Sequence, residues 1–378
     1  MTYDLVIVGG GVWGSGAAQA AVRAGIRSVL LLEANIGLGQ ESSAKSGGIV
    51  TDLLWHPEDQ AFVRRSRELY DEAKRVSGDV SVARRIGMLS LAEGELVATL
   101  ERRTGDLRER GVAFELLTRD EVVGRYPRLD RLAPDTVALF TPDDWHVNPT
   151  AYAQQVAAEG REAGLTVRTA CRVDGLRLEQ GKVLAMAGGE VFEGRRALIA
   201  AGTWTRKLVR TAGLDLALLP YRVQLSSLEL GEPHRLPLVW HLSTDVYMVP
   251  DGERDVLAGD GTRPWEFDPD DYQVTGDDQF EEEIAERLLQ ISSLGERAGL
   301  RSSWAGLVGA TPDRRPLLGR LAEGLYVACG DNGIGVMRGP AIGELAAKVA
   351  LDLAQAPHLR PDRFPPEPFP IRPGFTLD

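Results

Sequence analysis

The chain has 378 residues and a formal net charge of −12, with 43% hydrophobic and 26% charged residues. This length can bury two cores, so we expect two domains. The acidic balance disfavours nucleic acid and anionic membranes as partners, and no apolar run approaches the ~20 residues that span a bilayer. The first predicted strand starts at once, without a cleavable signal, and two cysteines, Cys171 and Cys329, suit a reducing compartment. We therefore expect a cytoplasmic protein.

The N-terminal stretch predicts a βαβ unit. Residues 3–8 are mostly apolar and include β-branched side chains, which is typical of a buried parallel strand. An Ala-rich helix is predicted over 12–24 and a second buried strand over 28–32. The turn between the first strand and the helix therefore lies at the carboxyl end of a strand, where open α/β sheets bind ligands.

Three glycines and an acid give this unit the pattern of a dinucleotide site. Gly9, Gly11 and Gly14 form G-x-G-x-x-G, which permits a tight turn, approach of a pyrophosphate and close helix–strand packing. The helix N-terminus favours the phosphate charge. Glu33 ends the second strand, about 20 residues further on, where a carboxylate binds ribose hydroxyls and repels a 2′-phosphate. An ordinary glycine-rich turn would not need these features in register, so we predict a dinucleotide with a free adenosine ribose.

A polar segment at 35–49 directly follows the acid and is rich in glycine and serine. Its Ser42, Ser43, Gly47 and Gly48 offer hydroxyl and backbone donors to a ligand at the carboxyl ends of the strands. A flexible surface loop is the alternative interpretation. A long amphipathic helix is predicted next, over 58–76.

The chain then departs from this pattern twice and returns to it twice. Residues 81–145 and 215–305 mix strand-like and charged helical segments, so we predict that they build a second domain. Asn148 and Pro149 predict the N-cap and first residue of a returning helix. Further strands are predicted at 86–91, 136–140, 165–169, 172–178, 183–186, 196–200, 221–230, 246–250 and 324–329, and helices at 93–110 and 119–126. The acidic run at 268–283 predicts the exposed start of a helix.

Two more glycine turns come between a predicted strand and a helix. Gly202 follows the strand at 196–200, and Gly330, Gly333 and Gly335 precede a helix predicted over 340–353. Glycine at such turns lets the backbone approach a ligand closely. The proline-rich tail after residue 356 is predicted to be extended and peripheral.

Along nearly its whole length, the chain resembles the D-amino-acid oxidase and glycine/sarcosine oxidase family of FAD-dependent amine oxidoreductases. The matching segments are 8–14 with Glu33, Ser42-Ser43, 46–49, 199–204, 247–250, Thr-Pro-Asp-Arg-Arg-Pro-Leu-Leu-Gly at 311–319 and Cys-Gly-Asp-Asn-Gly-Ile-Gly at 329–335. The resemblance implies an α/β (α+β) fold in which a mixed-sheet substrate-binding domain interrupts a Rossmann-like FAD-binding domain. The FAD-binding domain would comprise 1–80, 146–214 and 306–356, the substrate-binding domain 81–145 and 215–305, and the tail 357–378.

The resemblance also implies which residues contact FAD. Val173 would contact the adenine side through its backbone, and residues 331–337 would lie along the isoalloxazine, with the following helix near its pyrimidine carbonyl. Together with the glycine turns, the predicted FAD contacts are Gly9, Gly11, Val12, Trp13, Gly14, Glu33, Ala34, Ser42, Ser43, Gly47, Gly48, Ile49, Val173, Gly202, Gly330, Asp331, Asn332, Gly333, Ile334, Gly335, Val336 and Met337.

Members of the family pass hydride from the carbon beside a neutral amine to the flavin, and many hold a substrate carboxylate with Arg or Lys. This chain has Gly333, Met337 and Thr311-Pro312 where different members have that cation. Tyr247 is another candidate for the substrate site, because it matches a substrate-binding tyrosine of the family, although a tyrosine on a strand also suits a core. Arg222 is a candidate too, but it falls where the family has a structural arginine. The remaining candidates are Trp55, His56 and His241. Arg338 would face either the flavin or an ion pair.

Two further departures concern the flavin's chemistry. Leu257 replaces the lysine that activates oxygen in monomeric sarcosine oxidases, and Trp304 begins the segment where those enzymes have a flavin-linking cysteine. We therefore predict non-covalent FAD, with covalent attachment through His56 as an alternative. The electron acceptor is either oxygen or another molecule, and these departures favour another molecule. The predicted substrate is a small amine or amino acid of the secondary amine, N-methyl glycine or imino acid type. Alternatives are oxidation of a 2-hydroxy acid, a flavin-carrying subunit of a larger complex, and an NAD-dependent dehydrogenase.

Overall fold

The computed structural model describes residues 2–54, 56, 58–262 and 268–367. In these ranges the chain forms eight α-helices, none of which is long and apolar enough to cross a membrane. The helices are α1 (Val12–Arg23), α2 (Asp59–Ser77), α3 (Leu96–Glu109), α4 (Arg119–Arg125), α5 (Pro149–Glu162), α6 (Thr205–Arg210), α7 (Asp278–Leu289) and α8 (Gly335–Ala350).

The strands of the described residues pair into four sheets. In chain order they are β1 (Thr2–Tyr3), β2 (Leu5–Val8), β3 (Val29–Leu32), β4 (Ile49–Val50), β5 (Ala83–Arg85), β6 (Met88–Ala92), β7 (Glu115–Thr118), β8 (Val137–Thr141), β9 (Trp145–Val147), β10 (Thr166–Arg168), β11 (Gly175–Glu179), β12 (Lys182–Ala187), β13 (Glu190–Gly194), β14 (Ala197–Ile199), β15 (Leu219–Glu229), β16 (Leu238–His241), β17 (Val246–Asp251), β18 (Asp255–Gly259), β19 (Gly299–Ala310), β20 (Leu317–Ala322) and β21 (Leu325–Cys329).

A six-stranded sheet in the order β10-β3-β2-β14-β21-β20 carries the N-terminal βαβ unit. Its strands are parallel except for β20, which runs antiparallel to β21. Leu5 and Ile7 face a core shared with helices α1, α5 and α8, whereas Val6 and Val8 face a second core that includes the β11–β13 ribbon. Because both faces are covered, the strands are apolar throughout, as the sequence predicted.

An eight-stranded mixed sheet has the strand order β19-β15-β18-β17-β16-β6-β8-β7. It is built mainly from residues 81–145 and 215–305, the two segments that were predicted to form a second domain. One face packs on helix α7 through a core that includes Met248, Val256 and Ile284. Across the five strands β16, β17, β18, β15 and β19, Trp240, Tyr247, Gly259, Leu225 and Trp304 lie opposite one another in a row. Residues opposite each other in paired strands project from the same face, so this row belongs to the face turned away from α7.

The predicted architecture, an α/β fold with a mixed second sheet, is confirmed. The predicted helices and strands lie within a few residues of the observed ones for most elements, including the Asn148 cap, whose side chain accepts a hydrogen bond from the Ala151 N–H. The domain boundaries stay a prediction. The part of the tail beyond residue 367 lies outside the described residues.

Three local predictions were wrong. The strand predicted at 172–178 starts late, because residues 172–174 are not in a strand and β11 starts only at Gly175. Helix α7 starts at Asp278, so residues 268–277, the larger part of the acidic run at 268–283, are not helical. Helix α8 starts at Gly335, five residues before the predicted start at Pro340. Proline inside the helix removes a donor, and the carbonyl oxygen that this leaves at Val336 accepts the Tyr70 hydroxyl instead, at 2.8 Å.

Candidate functional site

A cavity of about 570 Å³ lies between the glycine turn and the eight-stranded sheet. Its volume falls in the range of about 300–1,000 Å³ that is usual for ligand pockets. The lining comes from the turn at 9–13, the 39–49 and 171–174 segments, the C-terminal loop and helix start at 328–337, and the face of the sheet that carries Tyr247. A single cavity therefore connects the predicted dinucleotide site to the second sheet.

The glycine turn has no room for side chains at Gly9 and Gly14 and little at Gly11. Gly9 has φ +104°, and a Cβ there would lie 2.4 Å from the Ala200 carbonyl oxygen. A Cβ on Gly14 would lie 1.8 Å from the Gly9 carbonyl oxygen, so helix α1 packs directly on the turn. A Cβ on Gly11 would lie 3.2 Å from the Ser43 hydroxyl oxygen, in front of the helix N-terminus. Each glycine thus has the geometry that its place in the motif predicts.

Glu33 is buried at the end of β3 and is oriented by backbone donors. Its Oε2 accepts a hydrogen bond from the Gly10 N–H at 2.7 Å, and its Oε1 accepts one from the Asn35 N–H, also at 2.7 Å. These bonds hold the carboxylate in the cavity wall beside the glycine turn. The segment at 171–174 adjoins it, because the Cys171 N–H donates to the Glu33 carbonyl oxygen at 2.8 Å.

The polar segment at 39–49 is part of the cavity wall. The Ser43 hydroxyl accepts a hydrogen bond from the Val12 N–H at 3.2 Å, and the Ser42 hydroxyl donates to the Leu307 carbonyl oxygen at 2.7 Å. Gly48 has φ +64°, and a Cβ there would lie 2.2 Å from the Val147 carbonyl oxygen. Strand β4 then pairs with β9. This hydrogen-bonded arrangement does not match the alternative of a flexible surface loop.

The C-terminal loop is fastened to the end of β19 by two polar side chains. The Asp331 carboxylate accepts hydrogen bonds from the N–H groups of Gly309, at 2.8 Å, and Gly333, at 3.3 Å. Asn332 adopts φ +53° and accepts a hydrogen bond from the Thr311 N–H at 2.9 Å. Asparagine tolerates this left-handed conformation better than most residues. The loop therefore fixes the start of α8 relative to the second sheet.

The sheet side of the cavity is largely apolar and aromatic. Met88, Leu225, Trp240 and Tyr247 project into it. The Tyr247 hydroxyl packs against Gly259, where a Cβ would lie 2.6 Å from its oxygen. Burial raises the pKa of Tyr247, so its hydroxyl stays protonated and can donate a hydrogen bond.

Several predicted substrate residues do not line the cavity. Arg222 lies between two cavity residues of β15 and so points to the opposite face, where it binds Asp277 at 2.7 Å. His241 is buried between Thr244 and Glu93. His56 lies 3.0 Å, through Nε2, from the Asp313 carbonyl oxygen. Trp55 lies outside the described residues.

Arg338 forms an ion pair, one of the two arrangements that the sequence left open. Its side chain is fully buried, and its Nη1 lies 3.0 Å from both carboxylate oxygens of Asp59 at the start of α2. Its Nη2 donates to the carbonyl oxygens of Arg314 and Asp331. Arg338 therefore joins α2, α8 and the C-terminal loop, and it supports the cavity from behind.

Sequence reasoning missed several lining residues. Lys45, Arg172, Trp204, Lys207 and Asp270 all line the cavity. Trp204 and Lys207 follow the predicted Gly202 turn by two and five residues, so their spacing was a usable signal. Asp270 offered none, because it reaches the cavity from a distant part of the chain. Among the described residues, no cluster of three or more His, Cys, Asp or Glu is arranged to hold a metal ion.

His146 lies behind the cavity wall and makes the fold sensitive to acid. Its Nδ1 lies 2.8 Å from the Arg84 guanidinium, which leaves that nitrogen unprotonated, and its ring packs against Gly48. Burial, together with the Arg84 charge, lowers the pKa of His146 to about 4. His146 therefore takes up a proton near pH 6.5 in the unfolded chain, whereas in the folded chain it stays neutral until the pH is near 4. Protonation in this range favours the unfolded chain, so the free energy of unfolding decreases as the pH falls.

We expect the free energy of unfolding to fall by about 2 kcal/mol more in the wild type than in His146→Gln between pH 7 and pH 5. Urea unfolding of both proteins at the two pH values measures the difference. Equal losses in the two proteins would show that His146 titrates normally in the folded chain.

Comparison of the sequence with known proteins identifies the family to which it is similar. The model of the FAD dependent oxidoreductase family (DAO) matches residues 4–349. A 4-methylaminobutanoate oxidase (formaldehyde-forming) from Paenarthrobacter nicotinovorans is 28% identical over 358 residues, which are 91% of this chain but only 43% of that protein. The β subunit of a sarcosine oxidase from an Arthrobacter species is 27% identical over 369 residues, covering 94% of this chain and 89% of that subunit.

A solved structure supports the same fold. The glycine oxidase from Geobacillus kaustophilus superposes with a TM-score of 0.84 at 23% identity, covering 96% of this chain and 99% of that one. The predicted family is thus confirmed, and the names of the relatives agree with the predicted reaction class, oxidation of amines or amino acids at a C–N bond. Because the family model spans nearly the whole sequence, the chain belongs to the FAD dependent oxidoreductase family.

Proposed function

We propose that the chain oxidises a C–N bond of a small secondary amine or amino acid by hydride transfer to FAD bound non-covalently in the 570 Å³ cavity. The observation that carries the proposal is the continuity of this cavity, which joins a dinucleotide turn to an apolar sheet face bearing Tyr247. The relatives with matching sequence are named as oxidases of 4-methylaminobutanoate and sarcosine, so an N-methylated or cyclic amino acid is the favoured substrate class.

The residues present fit FAD. The turn at Gly9 and Gly14 leaves no space for a Cβ but opens onto the N-terminus of α1, where a pyrophosphate is favoured. Glu33 has a fixed carboxylate beside that turn for ribose hydroxyls. Val173, Gly202 and the 42–49 and 330–337 segments would complete the contacts, and every residue of these segments except Ala44 and the buried Asn332 lines the cavity. When bound, FAD accepts a hydride from the carbon next to the amine nitrogen.

The chain's own residues would orient the substrate and exclude water. Met88, Leu225 and Trp240 form an apolar wall, which favours the neutral amine that hydride transfer requires and shields the reacting carbon from water. Tyr247 would donate its hydroxyl hydrogen to an oxygen of the substrate. Helix α8 directs its N-terminus into the cavity from Gly335, where its N–H groups favour negative charge on an acceptor.

We expect Tyr247→Phe to raise KM about tenfold with little change in kcat, because one hydrogen bond to substrate is lost while alignment by the apolar wall remains. Steady-state kinetics on the substrate found below measures this. Tyr126→Phe, at the end of α4, is the matched control and should behave like the wild type. An unchanged KM in Tyr247→Phe would mean that Tyr247 only fills space.

The visible spectrum under nitrogen tests the proposed function directly. Amines, amino acids and hydroxy acids are added in turn to the purified protein, and loss of the flavin band near ~450 nm identifies the substrate class. A rate of bleaching that rises with pH supports an amine, since the neutral form reacts, and a flat profile supports a hydroxy acid. A colourless protein, or bleaching by hydroxy acids alone, would contradict the proposal.

Two finer points are part of the proposal. Colour that leaves the polypeptide on acid precipitation would support non-covalent FAD, and slow recovery of colour in air would support an acceptor other than oxygen. The similarity to a sarcosine oxidase β subunit favours a heteromer as a second possibility, which the mass of the protein in solution with co-purified partners would reveal. We also propose a cytoplasmic location, since both cysteines are unpaired and buried.

A further inference from the structure

We infer that Asp268 and Asp270, which follow the second sheet's strand β18, form a clasp with Arg172, Trp204 and Lys207 that retains the adenosine half of FAD. We call these five residues the acidic clasp. The inference rests on the proposed assignment of the cavity to FAD and adds to it a set of residues that controls release of the cofactor.

The contacts of the clasp join the loop that follows strand β18 of the eight-stranded sheet to three segments that follow strands of the six-stranded sheet or precede β11. The Lys207 ammonium lies 2.8 Å from Asp268 Oδ1 and 2.5 Å from Asp270 Oδ2. The Trp204 indole N–H donates to Asp270 Oδ1 at 2.8 Å, and the Arg172 guanidinium pairs with the same oxygen. Asp270 therefore binds three side chains, from the 171–174 segment, the Gly202 turn and helix α6.

The clasp lies at the Glu33 side of the cavity. Arg172, Trp204, Lys207 and Asp270 all line the cavity, and Arg172 directly follows Cys171, whose N–H bonds to the carbonyl oxygen of Glu33. A ligand whose ribose is held by Glu33 would extend towards these residues. The clasp would then close over the part of the ligand beyond the ribose, which in FAD is the adenine.

A second group of contacts keeps the clasp in place. The Tyr272 hydroxyl lies 2.7 Å from the Lys45 ammonium, which also lines the cavity, and Thr275 forms a bridge to Trp304 of β19. Further along, Asp277 binds Arg222. Residues 268–277 are thus held at one end by the 171–174 segment, the Gly202 turn and α6, and at the other end by the eight-stranded sheet.

The clasp is exposed enough to open. The side chains of Lys207 and Asp268 are 47% and 54% exposed, and ion pairs of this kind are individually weak and are screened by salt. Several weak pairs on one carboxylate can slow an exit route without adding much to overall stability. The clasp should therefore act mainly on the rate at which FAD leaves.

The rate at which FAD is released tests the proposed role of the clasp. FAD fluorescence rises when the cofactor leaves the protein, so release from the FAD-loaded full chain can be followed after dilution. We expect Lys207→Met and Asp270→Asn each to release FAD about fivefold faster than the wild type. Higher salt should accelerate release from the wild type and have little further effect on the double variant Lys207→Met/Asp270→Asn. Lys182→Met is the matched control, since Lys182 forms a similar pair with Glu193 on β13, away from the cavity.

The possible outcomes separate the clasp from the function on which it rests. Faster release in the clasp variants that is insensitive to salt in the double variant, together with wild-type release in Lys182→Met, supports the clasp. Bound FAD that leaves the wild type, the clasp variants and Lys182→Met at one rate overturns the clasp and leaves the proposed function intact. Protein that binds no FAD overturns the proposed function, and FAD that stays with the denatured chain is covalent and overturns retention by the clasp.

Discussion

Gly14→Ala is expected to abolish FAD binding. A methyl group on residue 14 would lie 1.8 Å from the Gly9 carbonyl oxygen and 3.0 Å from the carbonyl carbon of the same residue. Both atoms belong to the backbone of the turn, so they cannot move aside as a flexible side chain would. Helix α1 must then shift away from the turn, and its N-terminus no longer faces the position of the pyrophosphate. The ratio of flavin to protein absorbance after purification measures the loss.

A second glycine serves as the control for this change. Gly105 lies inside α3, and a Cβ there meets nothing within 4 Å. Gly105→Ala should keep its full flavin content and gain up to about 1 kcal/mol of stability, because alanine favours helix. A Gly14→Ala protein that folds and carries a full complement of FAD would show that the turn does not hold the cofactor.

Arg338→Met is expected to lower the free energy of unfolding by about 3–5 kcal/mol. The substitution leaves the Asp59 carboxylate, 3% exposed, without the guanidinium that neutralises it. It also removes the donors to the carbonyl oxygens of Arg314 and Asp331. Urea unfolding monitored by circular dichroism measures the change, and the flavin spectrum reports whether the C-terminal loop is still in place.

The partner of Arg338 provides the test of this explanation. Removing both charges in Asp59→Asn with Arg338→Met should recover part of the lost stability, since no buried charge is then left unpaired. Arg75→Met is the control, because its pair with Asp71 is exposed and should contribute less than about 1 kcal/mol. Additive losses from Asp59→Asn and Arg338→Met would argue against a coupled buried pair.

Local spacing explains why some site residues were predictable. Gly9, Gly11, Gly14 and Glu33 lie in one βαβ unit, so their distances follow from the lengths of a strand, a turn and a helix. The glycine loop at 330–335 was found for the same reason, since it lies between β21 and α8. In both cases the chemistry is carried by backbone conformation, which glycine signals directly in the sequence.

The wrong predictions for the substrate site arose mainly because the sequence does not tell which face of a strand is turned to the cavity. Arg222 and His241 are conspicuous residues near the sheet, but each alternates with a neighbour that faces the cavity, Tyr221 and Trp240 respectively. Alternation tells which residues share a face but not which face is turned to a ligand. That depends on how the eight-stranded sheet packs on α7, a contact between segments far apart in the chain.

The amino-acid sequence by itself determined the family, the α/β fold and the dinucleotide turn, because these depend on short-range patterns of glycine, apolar residues and one acid. The tertiary structure alone decided which of the charged residues line the cavity or lie behind its wall. Arg338 pairs with Asp59, and Asp270 meets Lys207 and Arg172, only after helices and loops from separate parts of the chain have packed together. Charged partners that lie this far apart in the chain meet only through tertiary packing, and no periodicity along the chain predicts that they will meet.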